Sequence, residues 1–126
     1  MEFTARQVVD ICTALKTMQI KCRMKYRDAR KLSDLKKLFE ERTHVIGHME
    51  SDLVKNCGGT IRQDGKVEFS EPSLAETFVS EHNKLFEDKD EIEFAPVDLS
   101  EYIDDIEITV EGVEALDGIV LFSKED

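Results

Sequence analysis

No apolar run in the sequence approaches the roughly 18 residues that a membrane-crossing helix needs, so an integral helical membrane protein is excluded. Proline is scarce, at two in 126 residues, and 40% of the chain is hydrophobic. That composition describes a folded chain with a modest core, not a disordered one. Cysteine is also scarce. Cys12, Cys22 and Cys57 are odd in number and form no C-x-x-C pair, so a disulfide scaffold is not expected and a reducing compartment fits. The opening MEFTARQVVD has no basic region followed by an apolar block, so no signal peptide is expected. Glycine is sparse too. Gly58-Gly59 belongs to neither G-x-x-x-x-G-K-[ST] nor G-x-G-x-x-G, which excludes a phosphate loop there and leaves helix termination as the reading of both.

What is abundant is charge, at 36% of residues, and it is unevenly placed. Residues 1–66 carry 14 Lys or Arg against 9 Asp or Glu, a balance of +5. Residues 67–126 carry 3 basic and 19 acidic residues, a balance of −16, and the chain totals −11. The acidic part can fold onto the basic part of its own chain, pair with a neighbouring copy, or present a negative field to a basic partner. A solvated acidic surface that serves solubility is the plainest reading.

The periodicities predict a mainly α chain with a small β part. Thr4 and Gln7 form a capping box ahead of Val8, Ile11, Cys12, Leu15 and Met18, which predicts a helix over 4–18. Alternation from Met18 to Tyr26 predicts an extended link. Leu32, Leu35, Phe39, Ile46, Met49 and Leu53 follow a heptad pattern, with Arg42 in the missing place, and predict a helix over 24–56. At 1.5 Å per residue such a helix is roughly 45–50 Å long and needs a partner along its stripe. Asp64-Gly65 between Thr60–Arg62 and Lys66–Phe69 predicts a hairpin. Ser70 as cap and Pro72 in the first turn start a third helix over 71–87, antiparallel to part of the long one, ended by Asp88.

The C-terminal third reads differently. Glu91 to Phe94 alternates as a short strand, and Ile106, Ile108 and Val110 alternate again. Thr109 can cap a short helix over 110–117. The apolar run Ile119-Val120-Leu121-Phe122, beside the charged tail Lys124, Glu125 and Asp126, must dock on a core or on a neighbouring subunit. The expected organisation is a single domain over 1–126. A long-helix hairpin or bundle with a small hairpin near 60–69 fills 1–90, and an acidic α+β portion fills 91–126.

This order of parts is a capped helix, a basic link with Tyr26, a Lys- and Leu-rich helix, then a glycine hairpin from Cys57-Gly58-Gly59 to Asp64-Gly65-Lys66. A helix ending Asn83-Lys84-Leu85-Phe86 and an Ile-acidic tail closing on Val113-Glu114-Ala115-Leu116 complete it. The layout resembles a family of small phage-encoded proteins of uncharacterised function over nearly the whole chain. The resemblance implies a phage or prophage origin, host-cytoplasmic or virion-associated location, and a role in assembly, host interaction or counter-defence. It carries over no catalytic residues.

Few constellations point to chemistry. His44 and His48 share a helix face with Glu40 and Asp52, and Glu41 stands three before His44. The metalloprotease motif needs Glu after the first His, where Val45 stands, and no second E-x-x-H helix supplies a di-metal site. An exposed polar stripe is the simpler reading, and no metal or cofactor is expected. A nucleophilic Cys would need His44 or His82 as a base through the fold. Asp98, Glu101, Asp104, Asp105 and Glu107 form a carboxylate cluster without the glycine-centred Ca-loop pattern. Lys21, Arg23, Lys25, Arg27, Arg30 and Lys31 form a basic segment with Tyr26 inside it. The net charge opposes nucleic acid, and pairing with the acidic part is preferred.

The expectation is therefore a non-enzymatic phage-type interaction protein that self-associates. Its charge-complementary ends are Lys21, Arg23, Lys25, Arg27 and Arg30 against Asp98, Glu101, Asp104, Asp105 and Glu107. Its apolar interface is Leu32, Leu35, Phe39, Ile46, Met49, Leu53, Ile119, Leu121 and Phe122. Phage structural or host proteins are the alternative partners. The rival reading is an acidic counter-defence inhibitor that covers a nucleic-acid-binding surface of a host protein.

Overall fold

The structure, a computed structural model, describes residues 1–123; the charged tail Lys124, Glu125 and Asp126 lies outside the described residues. It is mainly helical, with short paired strands. Strand β1 (Glu2–Thr4) leads into helix α1 (Ala5–Thr17). Thr4 is its N-cap: its Oγ1 accepts from Gln7 N, and Gln7 Oε1 accepts from Thr4 N, so the capping box forms in full. Strand β2 (Gln19–Ile20) follows, then the long helix α2 (Tyr26–Asn56) of 31 residues. Gly58 takes φ of 78°, the left-handed region that ends helices at little steric cost.

Gly59 has another reason. A Cβ there would stand 2.6 Å from Phe69 Cε1 and 2.9 Å from Val54 Cγ1, so glycine is what lets the hairpin close on α2. That hairpin pairs β3 (Gly59–Ile61) with β4 (Val67–Phe69) antiparallel, Ile61 opposite Val67. Helix α3 (Pro72–Glu87) then runs back along α2: a side chain on Gly58 would meet Leu74, and His82 Nε2 lies 3.0 Å from Glu50 Oε2. Its N-cap is Glu71, not Ser70, and no side chain caps it. No α3 residue is fully buried; Phe69, Phe78, His82 and Phe86 stack in a row along it.

The acidic C-terminal third closes over the N-terminal half. Strand β5 (Lys89–Glu91) pairs antiparallel with β1. It is displaced from the expected strand at 91–94 and shares only Glu91 with it: Ile92 is buried and Phe94 packs half-buried on the core, while the ladder falls on the charged Lys89, Asp90 and Glu91. Strand β6 (Val97–Asp98) pairs in parallel with β8 (Val120–Leu121). A 3-10 helix (Ser100–Asp105) delivers Tyr102 into the interior, and β7 (Ile106–Glu107) pairs antiparallel with β2. The alternation through Val110 does not continue as a strand, because Thr109 Oγ1 caps Gly112 N and starts α4 (Val110–Ala115). One core joins α1, the first half of α2 and the C-terminal third. Phe39, Leu15, Ile92, Leu99, Leu116 and Ile119 are its most enclosed large side chains.

Candidate interaction surface

The basic segment and the acidic cluster meet within one chain. Strands β2 and β7 set Gln19 opposite Glu107 and Ile20 opposite Ile106, and Lys21 N donates to Asp105 O at 2.8 Å. Side chains extend the contact: Lys21 Nζ lies 2.6 Å from Glu107 Oε1 and Lys25 Nζ 3.2 Å from Glu101 Oε2. At its centre Tyr102 OH donates to Asp28 Oδ2 at 2.7 Å and accepts from Lys25 N at 3.1 Å. Tyr102 thereby satisfies the backbone entering α2, whose N-cap Lys25 offers no side-chain cap. Asp98 Oδ1 accepts from Ser100 N and Oγ, which shapes the turn into the 3-10 helix.

These contacts set a direction for pH. The Asp28 carboxylate holds the Tyr102 hydroxyl above its ordinary range, the Glu101 carboxylate does the same for Lys25, and partial burial with Asp105 beside it pushes the Cys22 thiol up. All three groups favour their protonated forms in the folded chain. Their stabilisation is complete below the ordinary values and is lost as pH rises through the raised ones. The denaturant midpoint is therefore expected to fall on the alkaline side of about pH 9–10, where the unperturbed thiol and phenol titrate. Tyr102→Phe should show a shallower alkaline fall; identical profiles for both proteins would remove Tyr102 as a cause.

The apolar residues expected at an oligomer interface are mostly in the chain's own core. Leu32, Leu35, Phe39, Ile46 and Ile119 are buried, and Leu53, Leu121 and Phe122 are half-buried. Helix α1 and the C-terminal third together cover the stripe that periodicity assigns to a second copy. Met49 alone among them is substantially exposed, at 49%, beside Val45 in a groove of about 260 Å³ that Leu85 also lines.

Two surfaces carry an excess of one charge. On the solvent side of α2, Tyr26 is 78% exposed, with Arg27 and Arg30 next to it. Arg27, Arg23 and Lys31 make no ion pair among the described residues, and Arg30 reaches only Asp34, 3.5 Å away and exposed. The second surface is a cleft of about 740 Å³ between α1 and α4. Glu2, Asp10, Glu111, Glu114 and Asp117 line it, and no Lys or Arg does. Among the described residues no three His, Cys, Asp or Glu side chains converge as metal ligands, so these carboxylates are spread along the cleft.

The candidate residues thus divide. Lys21, Lys25, Glu101 and Glu107 pair within the chain; Asp105 gives its backbone oxygen to Lys21; Arg23 and Arg27 stay exposed; Asp104 is exposed in the 3-10 helix. Sequence reasoning missed the cleft. Asp10 sits in the half counted as basic, and Glu111 and Glu114 were read only as part of a short helix. Their i, i+3 spacing was the available signal. His44 and His48 line a shallow pocket with Glu40, Lys16 and Ser51.

Searches of protein-family models, curated proteins and solved structures return no match to this chain. Among the described residues no helix is long and apolar enough to cross a membrane.

Proposed function

We propose that this is a non-enzymatic interaction protein that self-associates through complementary charged surfaces, in the phage-type assembly setting that its layout resembles. The observation that carries this reading is the coexistence of both signs, each in excess, on one small chain. On the Tyr26–Arg30 face of α2 Arg27 makes no ion pair among the described residues and Arg30 has only the exposed Asp34, while five carboxylates and no Lys or Arg line the α1/α4 cleft. A chain of −11 repels its copies at long range, but at about 0.15 M salt the Debye length is near 8 Å, so close contacts outweigh the net charge. The ends first expected to join copies, Lys21 and Lys25 with Glu101 and Glu107, are engaged within the chain, and the reading rests on what they leave over.

Sedimentation velocity over roughly 1 to 100 µM tests it, a range that spans weak and moderate affinities. The reading expects a mass above 14.4 kDa that grows with concentration. A monomer throughout overturns it. The rival, an acidic inhibitor of a basic host surface, draws on the same carboxylate-lined cleft and expects that monomer, together with capture of a basic protein that is lost on Asp10→Asn with Glu114→Gln.

A further inference from the structure

We infer that the Tyr26 face of α2 docks into the α1/α4 cleft of a second copy, head to tail. The inference rests on the self-association reading and names its two surfaces and their register.

Tyr26 is the most exposed large hydrophobic among the described residues. It stands at the first position of α2, and Arg30 follows it by one helical turn on the same face. Tyrosine and arginine are the residue types enriched at interface centres, because they bring area, planar stacking and several donors at small entropy cost. The Arg30–Asp34 pair is 64% and 60% exposed and adds little stability, so Arg30 is free to change partner at small cost.

The cleft fits this face in sign, size and spacing. Its volume lies within the several-hundred-Å³ range of sites that enclose a few side chains. Its carboxylates are spread rather than convergent, which suits an extended cationic surface better than a single ion. Each guanidinium can meet a carboxylate through two parallel hydrogen bonds. Met1 and half-buried Ala115 also line the cleft and offer apolar surface to the Tyr26 ring.

One copy cannot satisfy itself. Tyr26 and Arg30 point away from Leu32 and Leu35, the side on which α2 packs against α1, whereas α4 packs on α1 in turn. The two surfaces share no lining residue, so the contact is heterologous and builds rings or open chains. A second copy is a better occupant than nucleic acid, because phosphates meet the repulsion of the whole −11 chain, while the copy supplies five carboxylates at the point of contact.

The test uses two full-length variants. Tyr26→Ala with Arg30→Ala removes the projecting face; Asp10→Asn with Glu114→Gln weakens the cleft. All four positions are exposed, and an unchanged melting temperature confirms that each variant folds. Each variant alone should associate at least tenfold more weakly than wild type at low salt. Their equimolar mixture keeps one intact face and one intact cleft and should form a 1:1 dimer. A wild type that associates while both variants associate equally well overturns this docking and leaves self-association standing. A wild type that stays monomeric overturns both. Binding of a single-stranded oligonucleotide that is lost in the Tyr26/Arg30 variant gives the face to nucleic acid and overturns the docking.

Discussion

Phe39→Ala is expected to lower stability by about 3–5 kcal/mol, a large share of the roughly 5–15 kcal/mol that holds a domain together. Phe39 has no exposed surface. Its ring meets Phe3 edge-on at 5.9 Å and Phe94 at 6.1 Å, and Phe3 meets Phe94 at 5.8 Å. The three rings join β1, the middle of α2 and the segment after β5, so the cavity left by alanine opens where three parts of the chain meet. A long helix on one side limits how far the site can collapse. Thermal unfolding followed by circular dichroism should show a midpoint lower by roughly 10–20 °C. A drop under about 3 °C would place Phe39 outside the core.

Ile119→Ala is expected to cost about 2–5 kcal/mol and to leave the mass in solution unchanged. The side chain is 1% exposed, and its carbonyl accepts from Val97 N at 3.0 Å. Just beyond it, Val97 pairs with Val120 and Leu99 N donates to Leu121 O at 2.8 Å, so the apolar run is tied to its own chain by side chain and backbone together. Thermal unfolding and light scattering on the same sample check both halves of the expectation. A variant of wild-type stability with altered mass would return Ile119 to an interface between copies.

The helices were legible in the sequence because their signals are local. The Thr4–Gln7 capping box and the glycine at 58 are satisfied by neighbours within a few residues, and the Leu32–Phe39 spacing states the helical period within a few turns. The β3–β4 hairpin was legible for the same reason, through its Asp64-Gly65 turn, but the strands that pair across the chain were not. β5 is made of Lys89, Asp90 and Glu91, which no strand propensity favours, and it exists because β1 offers its backbone from the other end of the chain. The apolar stripe of α2 shows the same limit: periodicity says that a face is buried and is silent on which chain buries it. The charge split predicted that Lys21 and Lys25 would find carboxylates, and Glu107 and Glu101 within the same chain supply them. The cleft depended on Asp10 and Glu114 meeting across α1 and α4, which residue counts by segment conceal.

Under the proposed function, copies of the chain join through exposed charges. Light scattering coupled to size exclusion, at about 50 and about 500 mM salt, tests it most directly, since the Debye length shortens roughly threefold between them. The intrachain pairs are half or more exposed and each contributes little, so the fold survives the change and the mass reports association alone. A multimer at low salt that dissociates to 14.4 kDa at high salt is expected. A monomer of that mass under both conditions would contradict it.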